Sequence, residues 1–93
     1  MAVDTSSRAE RVAEMAKLLA DPIRVQVLDV LRSADREVCQ CELQPRFAIS
    51  QPTLSHHLKK LADAGVVGVE RRGKWAWYTI NDDALEEFKT WLS

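Results

Sequence analysis

Two stretches of this chain combine residue types and spacing that can do chemistry. The first is Cys39-Gln40-Cys41. Thiolates select soft ions, among them arsenite, antimonite, Cd(II), Pb(II), Zn(II) and Cu(I). In an unbroken helix, residues two apart point to nearly opposite sides. Both sulfurs can therefore hold one ion only if Cys39 lies at or before a helix start, or if the first turn distorts. A helix start at this point also favours thiolate over thiol. The pair has two further readings. It can be a dithiol redox couple, against which a bridge across a single residue is expected to be strained. It can also be two small, partly buried apolar side chains with no sensing role. The residues alone leave all three open.

The second stretch runs from Ser50 to Lys60. Leu54, Leu58 and Leu61 recur at helical spacing and form an apolar stripe. Ser50, Gln51, Thr53, Ser55 and His56 supply hydrogen-bonding groups at the start of the same helix, and Lys59 and Lys60 supply cations further along. Such a helix is suited to reading base edges with its N-terminal end while its flanks hold phosphates. Ser50 reads as the N-cap, Pro52 is tolerated in the first turn, and Gly65 closes the helix. The β-branched and aromatic runs that follow, up to Arg71 and from Trp75 to Ile80, flank the tip Arg72-Gly73-Lys74. This is a hairpin pattern with a basic tip. A core helix followed by an ordinary solvated hairpin would account for either element alone. The two in this order favour a DNA-reading unit with Arg71, Arg72 and Lys74 on phosphate.

Charge distribution agrees with that reading although the overall balance does not. The chain carries a formal net charge of −1. Between residues 50 and 74, however, Lys59, Lys60, Arg71, Arg72 and Lys74 face only Asp63 and Glu70, so the cations are gathered where the reading surface is expected. At 93 residues the chain reads as a single domain, 1–93, that combines DNA binding and dimerisation. No run is apolar enough to span a membrane, and the first 20 residues do not resemble a signal peptide. Two cysteines one residue apart are no disulfide framework, so the expected compartment is the reducing cytoplasm. No Gly-rich phosphate loop, nucleophile–base arrangement or paired-carboxylate cleft points to an enzyme. His56 and His57 diverge by about 100° on a helix and make a poor metal pair. His56 is expected on DNA and His57 in a hydrogen bond or packing contact within the motif. Trp75 and Trp77 are expected to be buried against the body or a partner, with Tyr78 and Ile80 in the core.

The elements that must position these residues follow from periodicity and caps. A helix capped by Ser6 or Ser7 is expected to reach about Ala20. A second, with Asp21 as N-cap and Pro22 at its first position, runs to about Arg32. A short third covers about Gln40 to Arg46, with Leu43 and Phe47 inward. The reading helix and the two-stranded wing come next, and a last helix capped by Asn81 or Asp82 closes the chain. The expected class is mainly α: a winged helix-turn-helix with about five helices and one two-stranded β-hairpin. Val12 and Met15 near one end, and Leu85, Phe88, Trp91 and Leu92 near the other, form stripes beyond what the core motif needs. They are expected to form a homodimer interface, because two-fold operators call for two-fold proteins.

Several segments together resemble the ArsR/SmtB family of bacterial metal-responsive transcriptional regulators. They are Leu19-Ala20-Asp21-Pro22-Ile23-Arg24, Glu37 to Leu43, Ser50 to Leu61, Gly65-Val66-Val67, and Arg71-Arg72-Gly73-Lys74 with Tyr78. The resemblance covers about residues 15 to 93. It implies a homodimeric winged helix that binds double-stranded operator DNA as a repressor and, in most members, is released by an inducer ion. Cys39-Gln40-Cys41-Glu42-Leu43 looks like the family's arsenite-sensing motif, in which a third cysteine follows three residues later. That position here is Gln44, and the chain has no other cysteine. Arsenite or another thiophilic ion at Cys39 and Cys41 would need a further ligand, such as a cellular thiol or water. The family's second sensing site uses histidines on the last helix, and none is present here. The alternative is a regulator of the same fold without thiol sensing, repressor or activator, that answers to Ni(II) or Zn(II), to redox state, or to a partner protein.

Overall fold

The computed structural model describes residues 6–93. Helix α1 spans Ser6–Leu18 and ends two residues before the expected Ala20. The Ser6 or Ser7 cap falls outside the described side chains. Helix α2 spans Pro22–Ala34 and starts as the sequence requires. The Asp21 carboxylate accepts from the backbone N–H of Ile23 at 2.8 Å and of Arg24 at 3.3 Å, with proline at the first helical position. The helix continues past Arg32 until Asp35, whose φ of 50° ends it in the left-handed region.

Val38–Cys39 then forms a short strand, β1, a segment to which the sequence assigns no element. Helix α3, Gln40–Leu43, follows directly, and a 3₁₀ turn over Gln44–Arg46 completes the expected third helix. Cys39 is thus both the end of a strand and the N-cap of α3. The Glu42 carboxylate accepts from the Cys39 N–H at 3.1 Å and closes the capping box.

Helix α4 spans Gln51–Asp63 with Ser50 as N-cap. Its end is a Schellman motif, in which the Gly65 N–H donates to the Ala62 carbonyl and the Val66 N–H to the Leu61 carbonyl. Gly65 has a φ of 75°, which a side chain would oppose. Strands β2, Val67–Arg72, and β3, Trp75–Ile80, form the wing. Arg72 pairs with Trp75, leaving a two-residue loop that begins at Gly73 with φ 62°. The unforeseen feature is that β1 pairs antiparallel with the other edge of β3, Val38 against Tyr78 and Cys39 against Trp77. The sheet order is β1-β3-β2.

The core gathers around α4. Leu54, Leu58 and Leu61 are fully buried, together with Val27, Leu31 and Leu43. Each such side chain contributes about 1.5–3 kcal/mol on leaving water. Tyr78 is buried and Ile80 is half-buried against the core, as expected. Trp75 is 45% exposed and so is not covered by the body of this chain; Trp77 is half-buried. A 3₁₀ turn, Asp82–Leu85, precedes helix α5, Glu86–Leu92. Neither Asn81 nor Asp82 caps it as expected. The Asn81 amide donates instead to the Gly65 carbonyl at 2.9 Å, and its N–H donates to the Val66 carbonyl at 2.8 Å. The arrangement is a winged helix-turn-helix whose sheet has one strand more than the hairpin. Because the Asp21 cap fixes the start of α2, Asp21→Ala should lower unfolding stability by about 1 kcal/mol, measured as a fall in the urea midpoint at unchanged slope.

Candidate nucleic-acid interface

Withdrawing the leucine stripe leaves the opposite face of α4 to solvent. Gln51, Thr53, His56, Lys59 and Lys60 are exposed, and Ser55 is half-buried. Ser50 Oγ and Thr53 Oγ1 lie 2.8 Å apart, and the Thr53 N–H donates to Ser50 Oγ at 3.3 Å. These two hydroxyls therefore serve the helix start first. The Gln40 amide donates to Ser55 Oγ at 2.7 Å. A hydroxyl that accepts this bond keeps its own O–H free to donate. Lys59 is paired with Asp63 at 3.0 Å, one turn along an exposed face, where such pairs are weak. Lys60 meets no carboxylate among the described residues. His57 sits on the inner flank, 3.2 Å from the Arg24 guanidinium through Nδ1. Since arginine only donates, Nδ1 accepts, which matches the expectation of a contact within the motif. Arg24 also donates to the carbonyls of Leu18 and Lys17, so one side chain ties the end of α1 to α4.

The wing separates its cations by strand alternation. Arg71 lies opposite Ala76, on the face shared with buried Val67 and Tyr78 that fronts α4. Arg72 lies opposite Trp75 on the other face. There its guanidinium donates to Glu37 at 2.7 Å and to Glu70 at 3.1 Å, and stands 5.4 Å from the Trp77 ring. These carboxylates push the Arg72 pKa up, and Arg72 in turn holds Glu70 below the usual carboxylate range. The sequence placed Arg71, Arg72 and Lys74 together as phosphate contacts. In the fold Arg71 and Lys74 are without ion pairs among the described residues, whereas Arg72 clamps the wing to the segment before β1. Lys74 lies 5.4 Å from the exposed Trp75 ring. Between α3, α4 and the wing lies a groove of about 730 Å³ lined by Gln40, Cys41, Gln51, Ser55, Arg71 and Lys74, among others.

The cysteines border this groove. Cys39 is fully buried and Cys41 is exposed. Their sulfurs are joined in the structure, with Cα atoms 5.0 Å apart, within the span a disulfide bridges. Cys39 is extended and Cys41 is helical, which brings the two sulfurs to the same side. The Cys41 N–H also donates to Cys39 Sγ at 3.1 Å. Arg36 holds Glu42 down to about 2, helped by the Cys39 N–H. Among the described residues no cluster of three or more His, Cys, Asp or Glu side chains is arranged to hold a metal. Sequence reasoning missed Gln40, Glu37 and Glu70 as parts of this region. Gln40 and Glu37 act through contacts with segments distant in the chain, which no local spacing announces, whereas Glu70 pairs with Arg72 two residues further along the same strand.

A polar-faced helix behind a helix-turn-helix, with a cationic wing beside it, defines a DNA-binding regulator of transcription. The family model described as bacterial regulatory protein, arsR family, matches residues 21–69. The arsenical resistance operon repressor of Staphylococcus aureus is 37% identical over 84% of this chain and 73% of its own length. The chain belongs to the arsR family, a family of regulators rather than enzymes. Among solved structures, an ArsR family transcriptional regulator superposes with a TM-score of 0.81 at 25% identity, covering 90% of this chain and 84% of that one. The homodimeric winged helix-turn-helix DNA-binding domain of a possible ArsR-family regulator from Mycobacterium bovis gives 0.71 at 28% identity, over 99% of this chain and 87% of its own.

Two outcomes are expected from this geometry. Arg71→Ala and Lys74→Ala should each weaken all DNA sequences alike and reduce the salt slope of binding by about 1. Arg72→Ala should change the slope less and lower the melting temperature instead; equal slopes for all three variants in a salt titration would contradict this division. For Glu42, the folded carboxyl titrates near 2 against an ordinary 4.5. The stabilisation it provides is present above 4.5 and is lost as pH falls through about 2. The stability difference between the protein and Glu42→Gln should therefore be constant near neutrality and shrink across that acid window in pH-dependent urea titrations.

Proposed function

We propose that the chain is a cytoplasmic, homodimeric operator-binding repressor, a single reading and dimerising domain whose inducer is a thiophilic ion held by Cys39 and Cys41. The observation that carries the DNA reading is the exposed N-terminal half of α4 beside unpaired Arg71 and Lys74. Gln51 and His56 meet base edges, with Ser55 oriented by Gln40. Ser50 and Thr53 contact the backbone near the helix start, and Lys59, Lys60, Arg71 and Lys74 hold phosphates. The dimer is supported by the groove of about 710 Å³ lined by Val12, Met15 and Phe88, and by Trp91 and Leu92, which are 53% and 63% exposed. Leu85 packs partly on its own core and anchors the helix. Arg11 grips Glu87 at 2.6 and 2.8 Å and sets α5 against α1.

The ion reading is supported by the placement of Cys39 at the helix start, the condition for both sulfurs to face one ion. It is also supported by the name of the S. aureus relative, an arsenical resistance operon repressor. Two sulfurs are an incomplete set for arsenite, so a small thiol or water supplies the remaining ligand. Bound there, the ion would draw on both the cap of α3 and the strand that pairs with β3.

In a mobility shift with its own promoter region, reduced protein should bind as a dimer. Arsenite or Cd(II) should release it, more strongly when a small thiol is added. Cys39→Ser/Cys41→Ser should bind DNA normally and ignore the ion, and Gln44→Cys should strengthen the response. An ion response unchanged in the double-serine variant would remove the pair as sensor.

A further inference from the structure

We infer that the groove in front of Cys41 receives an anionic low-molecular-weight disulfide, with Cys41 as the exchanging sulfur and Cys39 as the resolving one. The inference needs no metal and shares with the operator reading only the cations of the groove. The two sulfurs differ in access. Cys39 is fully buried at the end of β1, so a ligand sulfur can approach only Cys41, which is exposed on the groove wall. The groove, at about 730 Å³, is within the roughly 300–1,000 Å³ of small-ligand sites.

Its charge selects the ligand. Lys59, Arg71 and Lys74 line it against a single carboxylate, Asp63, which pairs with Lys59. The Gln44 amide donates to the Ile49 carbonyl at 2.7 Å. Gln44 Oε1 has almost no exposed surface, so Gln44 forms part of the wall without offering that oxygen to a ligand. Trp75 supplies an apolar wall.

The exchange balances. The Cys41 thiolate attacks one ligand sulfur, forming Cys41–S–S–R and expelling RS⁻. Cys39, its proton lost to solvent, attacks Cys41 Sγ. The Cys39–Cys41 bond forms and the second RS⁻ leaves. The dithiol loses two electrons and the ligand disulfide gains them. In the reverse direction RS⁻ attacks exposed Cys41 and reopens the pair. The joined state is the one in the structure, with Cys39 Sγ accepting from the Cys41 N–H.

The test uses Cys39→Ser, which keeps a good N-cap on α3 and leaves no resolving thiol. Glutathione disulfide and neutral bis(2-hydroxyethyl) disulfide are offered at equal pH with a chelator present, and adducts are followed by intact mass and peptide mapping. The expected result is one glutathionyl group on Cys41. Its rate relative to the neutral adduct should fall about tenfold in Cys39→Ser/Arg71→Ala/Lys74→Ala, or in the unmutated groove at 1 M salt, where charges are screened within about 3 Å. In the wild-type chain the same treatment should yield the Cys39–Cys41 bridge and two released thiols, without a stable adduct. Absence of a Cys41 adduct, or a rate ratio indifferent to both salt and the two cations, would overturn the assignment. Because no metal is present, this outcome is independent of whether arsenite releases DNA.

Discussion

Helix α4 can offer polar groups to a duplex only because its other side is withdrawn from water. Leu54, Leu58 and Leu61 are fully buried, and they meet side chains from α2, α3 and the sheet. A stripe so placed fixes rotation about the helix axis, since any turn would drag a leucine into solvent or a lysine into the core. The directions of Gln51, Ser55 and His56 therefore depend on packing, not on contacts among themselves. The Ser50 cap and the Schellman end at Gly65 then set the length of the presented surface.

Strand β3 is the second organising element. It pairs on both edges, with the wing strand β2 on one side and the two-residue β1 on the other. Through β1 it is joined to Cys39, and through Arg72 and Glu37 its hairpin is clamped to the segment just before that cysteine. Gln40, the next residue, holds Ser55. Cys39 thus joins the wing through a ladder, and its neighbour Gln40 joins α4 through a side-chain bond. The sulfurs therefore lie close to the proposed DNA face.

Much of this was legible in the sequence, for identifiable reasons. Asp21-Pro22, Ser50 and Gly65 are local signals, and local geometry answered them. The leucine spacing announced α4, and the alternating run of aromatic and branched residues announced the wing. What was not legible depends on contacts across the chain. A two-residue strand has no periodicity to detect, so nothing in the sequence marks β1. Arg71 and Arg72 look equivalent in a sequence, and only the register with β3 places them on opposite faces. Asn81 reads as a cap because it precedes a helix, but the Gly65 carbonyl, left free by the end of α4, competes for its amide. Trp75 has the composition of a buried residue and lies at a hairpin tip too narrow to cover it.

The bonds from Asn81 to Gly65 and Val66 carry a geometric consequence. They fasten the exit of α4 to the entry of the closing helical segment, so the reading helix and the C-terminal helix share one pivot. In the proposed two-fold assembly through α1 and α5, the separation of the two α4 helices would vary with the angle at that pivot. Successive half-sites on one face of B-DNA lie about 34–36 Å apart. A tilt of a few degrees at Gly65 and Asn81, too small to disturb either helix internally, would move the far ends out of step with the grooves. In the proposed dimer the pivot would act as the hinge of a caliper, and its stiffness would set how much variation in operator spacing the protein accepts.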